Sequence, residues 1–196
     1  VQCIGLEAAV QMVGFYERAG FQKDCITTRR QMLFRSEASL DPSPSHRSDV
    51  AVVPLHEVSL EAIQRYDERH EISPRPHFLE LWLRHRAGDV FAARDAEGEC
   101  HGYVRIRPCL LPIGEGWRVG PWLAEDPGMA SLLLNNALDH HNGVVLIDTP
   151  GHNPSAKTIL SARGFKPMTS TVRMYKGVIP RGHDRNVYGL ACLELG

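Results

Sequence analysis

The stretch Phe15-Tyr16-Glu17-Arg18-Ala19-Gly20-Phe21 closes a helix-like run and opens a strand-like one. Near the other end of the chain, Asn153-Pro154-Ser155-Ala156 leads through a second helix-like run to Gly164-Phe165. The two Gly-Phe pairs lie 144 positions apart, and at that offset Ile4 matches Asp148, Thr27 matches Thr171 and Arg29 matches Arg173. Each copy reads strand, helix, Gly-Phe, strand. The glycine has a physical reason, since a helix ending in the left-handed conformation favours a residue without Cβ. One Gly-Phe pair arises readily by chance. Matched flanks with a shared Thr-x-Arg point instead to a duplicated fold, against the alternative of a generic strand-helix-strand unit used twice.

Working outward, Val1 to Leu6 reads as a buried strand, Glu7 to Ala19 as a helix and Phe21 to Phe34 as a strand. Residues 35–49, rich in Ser, Pro, Asp and Arg, read as an interdomain linker. Val50 to Pro54 begins a second unit. Ser59 caps a helix to His70, and a second helix runs from Pro76 to His85. Gly88 to Pro108 forms a hairpin turning at Asp95-Ala96-Glu97-Gly98, and Trp117 to Leu123 is a strand. A helix follows from Pro127 to His141, then a strand from Val144 to Asp148, a helix from Pro154 to Arg163 and a strand from Pro167 to Tyr175. The polar loop 180–186 leads to a last strand, Val187 to Leu195. Such an order predicts an α/β (α+β) layer with helices covering a central mixed sheet.

The 196 residues are 43% hydrophobic and 23% charged, the balance of an ordinary globular protein. A net charge of -1 gives no support for nucleic-acid binding, and the largest basic cluster, Thr27-Thr28-Arg29-Arg30, reads as a solvated strand end. No apolar run approaches the ~20 residues of a membrane helix, and no signal peptide is visible. The five cysteines show no CxxC pair or zinc spacing, so no metal is expected, and they read as reduced thiols of a cytoplasmic protein. Because Val1 already lies in an apparent strand, the chain is expected to be a fragment of something longer.

The segment Phe15 to Phe21 closely resembles the FYE(R/K)xGF segment near the end of GCN5-related N-acetyltransferase (GNAT) domains. Asn153-Pro154-Ser155-Ala156 with Gly164-Phe165 resembles the same segment in the form N-x-x-A…GF. The ending Thr171 to Gly177, followed by Val187 to Gly196, is similar to the second domain of the tandem members, in which a divergent carboxy-terminal copy follows an amino-terminal one. The resemblance thus implies residues 1–34 as the end of a first domain, 35–49 as a linker and 50–196 as a second domain. It also implies the acyltransferase fold: a twisted mixed sheet with splayed parallel strands, flanked by helices.

What the resemblance implies about chemistry is acetyl-CoA held in the opening between those parallel strands, with an amine attacking the thioester directly. On that reading Val119, Gly120, Trp122 and Leu123 lie along the cofactor strand. Gly128, Met129 and Ala130 open the following helix, where the dipole favours phosphate. Asn153 either bonds the pantetheine arm or caps its own helix. Tyr16 holds, in the first copy, the position of the tyrosine that protonates the departing thiolate; the alternative is a tyrosine packed at a helix end. Leu160 holds that position in the second copy and cannot donate a proton. Asp148 is a candidate base acting through water, or a structural hydrogen-bonding group. The second copy departs from the family's (R/Q)-x-x-G-x-(G/A) phosphate loop: Glu125-Asp126-Pro127-Gly128-Met129-Ala130 brings two carboxylates, and Pro127 removes a donor.

Arg29 and Arg173 read as ties between strands, Trp117 and Trp122 as core, and His140-His141 as cations at a helix end. Arg75 reads as a surface arginine or as one facing the acceptor. Asp148, Asn153 and His183 make no hydrolytic triad, because no nucleophile elbow exists. The expected activity is acetyl transfer from acetyl-CoA to a primary amine of a small molecule or peptide. The alternative is a non-catalytic module serving substrate binding or dimerisation. The amine or peptide acceptor is the expected partner, with no nucleic acid or membrane, and a homodimer stays open.

Overall fold

A computed structural model describes residues 3–34, 49–71, 73–112, 114–139, 141–179 and 184–193. The expected linker, apart from Asp49, lies outside them, as do Val1, His140 and His183. The described residues form β1 (Cys3–Ala9), α1 (Val13–Arg18), β2 (Gln22–Phe34), β3 (Val50–Pro54), α2 (Leu60–His70), α3 (Pro76–Arg84), β4 (Asp89–Asp95), β5 (Cys100–Leu111), β6 (Gly114–Ala124), α4 (Pro127–Leu138), β7 (Gly143–Thr149), α5 (Pro154–Ala162), β8 (Lys166–Gly177) and β9 (Val187–Gly189). The strands make one mixed sheet in the order β1-β8-β2-β7-β6-β5-β4-β3, with β9 paired to β6.

The two largest cores lie on the two faces of that sheet. Leu133, Leu134, Ala137 and Leu138 of α4, with Ile159 and Leu160 of α5, pack on Val104, Ile106, Val119 and Val145. On the other face Ala62, Ile63 and Tyr66 of α2, with Leu79 and Leu83 of α3, pack on Ala92, Tyr103 and Leu123. Alternation along β5, Tyr103 to one side and Val104 to the other, is the period-two signature of a sheet buried on both faces. The helix starts follow local chemistry: Ser59 accepts from Ala62 N at 3.1 Å, Asp126 from Met129 N at 2.9 Å and Asn153 from Ala156 N at 3.0 Å.

The two Gly-Phe copies meet at the centre of one half of the sheet. Thr27 of β2 stands directly opposite Thr171 of β8, the residue that matches it in the repeat. β1 pairs antiparallel with β8, and β2 pairs antiparallel with β7. Rotation about a local two-fold at Thr27/Thr171 therefore carries β1 onto β7 and β2 onto β8. Each copy's second strand inserts beside the first strand of the other. The same operation relates two ion pairs. Arg29 sits opposite Asp148 and binds it through Nε and Nη2 at 2.7 and 2.9 Å. Arg173 sits opposite Glu7 and donates from Nε at 2.8 Å. Thr27 and Thr171 both donate to the Glu7 carboxylate, at 2.8 and 2.6 Å.

This corrects two expectations. Asp148 corresponds to Glu7, not Ile4, because the second copy is three residues longer between strand and Gly-Phe; α5 has nine residues where α1 has six. Glu7 to Ala9 belong to β1 and not to a helix, because β8 and the hydroxyls of Thr27 and Thr171 hold Glu7 in the sheet. The last strand is also shorter than Val187 to Leu195. It keeps three residues, because Leu190 turns away from β6 to donate its N–H to Asp148 O at 2.9 Å.

The buried thiol of Cys100, bonded to Gly102 O at 3.4 Å, is pushed up to about 12, chiefly by burial. Burial likewise pushes the Tyr188 phenol up to about 12. Both groups stay protonated in the fold at a pH where the unfolded chain releases the proton. Stability is therefore full below the unfolded pKa, near 9 for Cys100 and near 10 for Tyr188, and falls as pH rises from there towards 12, by about 1.4 kcal/mol per pH unit for each group released. Urea unfolding between pH 8 and 11 measures this, and Cys100→Ala flattens the slope. A midpoint independent of pH across that range would refute it.

Candidate functional site

β6 and β7 run parallel and in register only over Trp117–Val145, Arg118–Leu146 and Val119–Ile147. Beyond Val119 they part, as expected of a splayed pair. Gly120 opens the gap with φ +145°, in the region that favours glycine. β9 then enters that gap. β9 pairs antiparallel with β6, Trp122 against Gly189 and Leu123 against Val187, and Leu190 reaches across to Asp148 on β7. The fit is close. A Cβ on Gly120 would stand 1.9 Å from Leu190 O, and one on Gly189 would stand 3.3 Å from Ile147 Cγ2.

The expected cofactor residues gather around this seam. Val119, Trp122, Leu123, Met129 and Ala130 are wholly buried. Gly128 is buried in the first turn of α4. Tyr188 lays its ring 5.1 Å from Trp122, whose Nε1 donates to Ala130 O. Asn153 does two jobs at once. Its Oδ1 caps α5, while its Nδ2 donates to Arg185 O at 2.8 Å and Val187 O at 3.1 Å, tying down the approach to β9. At the start of α4 the Asp126 carboxylate takes the Met129 N–H, Pro127 has none, and the Ala130 N–H is bonded within the helix to Asp126 O. That carboxylate also helps to raise the Tyr188 pKa.

Asp148 is buried, with Arg29 on both oxygens and Arg118 Nη2 3.4 Å from Oδ2. Tyr16 lies elsewhere, on α1, between the rings of Phe15 at 5.4 Å and Phe21 at 5.7 Å. The structure therefore groups Asp148, Asn153 and the residues of β6 and α4, and leaves Tyr16 beside β1. Arg75 binds Asp67 through Nε and Nη2 at 3.0 and 2.8 Å and Glu71 at 2.7 Å, within a network that also holds Tyr103. His141 lies at the end of α4, Nδ1 2.9 Å from Ala137 O and Nε2 3.1 Å from Asp89.

Sequence reading missed one convergence. Asp24, Cys25 and His152 place donor atoms within 4.8 Å of one another. His152 Nε2 lies 2.9 Å from Asp24, and burial raises the Cys25 thiol to about 11, so the trio is a hydrogen-bonded pair beside a protonated thiol. No helix among the described residues is long and apolar enough to cross a membrane.

A mixed sheet whose parallel pair opens at its centre, with a capped helix following the first of the two strands, defines an acyltransferase-type architecture. The pattern of the acetyltransferase (GNAT) domain matches residues 63–189, and the chain belongs to that family. It is 25% identical over 195 residues to the holothin acyltransferase of Pseudoalteromonas sp. (strain SANK 73390), covering 98% of this chain and 62% of that protein. Among solved structures, a putative acetyltransferase from Pyrococcus horikoshii superposes with a TM-score of 0.73 at 21% identity, over 99% of this chain and 60% of the other. A tandem GNAT protein from the clavulanic acid biosynthesis pathway superposes with a TM-score of 0.58 at 14% identity, over 91% and 64%. The chain thus spans about three-fifths of the length of these relatives. The family implies acyl-CoA in general. The seam does not fit it, since β9 lies along β6 where a pantetheine arm would lie and Asp126 holds a donor that a phosphate would need.

Proposed function

We propose that this chain belongs to a tandem acyltransferase that moves an acetyl group from acetyl-CoA to a primary amine of a small molecule or peptide. Residues 50–196 are its supporting copy. Catalysis runs in a first copy whose closing strand-helix-strand is β1, α1 and β2. The observation that carries this reading is β9, which lies in the second copy's opening, held by Asn153 and Tyr188. The local two-fold supports the duplication, and the solved tandem protein supports it by its fold.

Acetyl-CoA titrated calorimetrically into residues 1–196 is expected to give no saturable heat at about 1 mM ligand. Tight binding there would overturn the reading. The general acid belongs to Tyr16. In a protein carrying a complete first copy ahead of this chain, Tyr16→Phe is expected to lower kcat by about 10²-fold with an unchanged melting temperature. An unchanged kcat would assign that ring to packing alone.

A further inference from the structure

Away from the seam, a cavity of about 480 Å³ lies between α3 and the second half of β5. Its walls divide by chemistry. Phe78, Leu81, Trp82 and Pro108 supply apolar surface, while Arg105 and Arg107 bring two guanidiniums. No carboxylate is among the lining residues. Arg105 is 2% exposed. Its Nη2 donates to backbone carbonyls, Ala87 O at 2.8 Å and His85 O at 3.5 Å. Its Nε is buried with no hydrogen-bond partner, and so is Nε1 of Trp82. Both guanidinium carbons lie over the Trp82 ring, 5.1 and 5.0 Å from its centre. A buried cation satisfied by carbonyls alone keeps an uncompensated charge.

The lining thus offers a guanidinium with no carboxylate beside it and flat apolar walls, in a volume suited to a small molecule. We propose that this cavity binds an organic carboxylate with an aromatic or aliphatic body. The carboxylate pairs with Arg105 and the body lies against Phe78, Leu81 and Trp82. A planar guanidinium suits a carboxylate better than it suits any neutral group.

The test uses the 196-residue chain with 4-phenylbutyrate, 4-phenylbutylamine and inorganic phosphate, followed by calorimetry and by tryptophan fluorescence. The carboxylate is expected to bind saturably and to change the fluorescence, with the amine and phosphate each weaker by at least about tenfold. Arg105→Gln is expected to remove the binding. Because Arg105 is buried, Leu81→Glu gives an independent arm. Leu81 is 77% exposed at the rim, so a carboxylate placed there repels the ligand with the unfolding midpoint intact. Absence of saturable binding up to about 5 mM, amine binding equal to that of the carboxylate, or binding untouched by Leu81→Glu overturns the proposal.

Discussion

Asp148→Ala is expected to cost about 3–5 kcal/mol of folding stability, because it strips a buried carboxylate from a cation that stays behind. The Asp148 side chain is 1% exposed, while those of Arg29 and Arg118 are 22% and 14% exposed. Arg29 donates twice to it across the β2–β7 pair, so the bond ties the first Gly-Phe copy to the second. With the carboxylate gone, two guanidiniums face each other on one patch of sheet. Urea unfolding at neutral pH measures the loss. Adding Arg29→Met to the same chain is expected to restore part of it, since one uncompensated charge leaves with the side chain. A single-mutant cost under about 1 kcal/mol would show that the pair is solvent-screened and ties nothing together.

Loss of Asp67 is expected to be as severe. Asp67 is 1% exposed and accepts from Arg75 Nε and Nη2 and from the Tyr103 hydroxyl. Burial first, and the Asp67 charge after it, hold the Tyr103 phenol well above its ordinary pKa. Asp67→Ala leaves a hydroxyl and a guanidinium without their acceptor between α2 and β5, at about 3–5 kcal/mol. For a domain of this size that is a drop of about 10 °C in melting temperature, read by calorimetry. A shift under about 2 °C would mean that Glu71 takes over the arginine and that the network is redundant. Arg75 is thus held in a buried network and does not project from a surface loop.

The two Gly-Phe units were legible because their carriers are rigid requirements. Gly20 and Gly164 both take positive φ, at +88° and +84°, and Thr27 and Thr171 sit on the symmetry axis of the strand pair. The correspondence of Glu7 with Asp148 was hidden because a comparison without gaps cannot see three extra residues in one connection. Helix and strand were confused at Glu7, where the deciding partners Thr171 and Arg173 lie more than 160 residues away. The place of β9 was illegible for a similar reason. Three residues carry little pattern, and only the parted strands determine which gap they enter. The cavity escaped too: Trp82 falls on an apolar helical stripe and Arg105 on a strand, and their meeting depends on how α3 crosses β5.

The strand order, with β2 between β8 and β7, sets a timetable for synthesis. β2 leaves the ribosome with Ile26 and Leu33 more than half exposed even in the finished fold, and its neighbours β7 and β8 are more than a hundred residues behind. At ordinary elongation rates the wait is roughly 7–30 s. Throughout it an unpaired edge of thirteen residues stays open to other nascent chains. Separate expression of the two halves therefore yields fragments that each lack a strand the other carries. Mixing them is the natural route to a soluble complex.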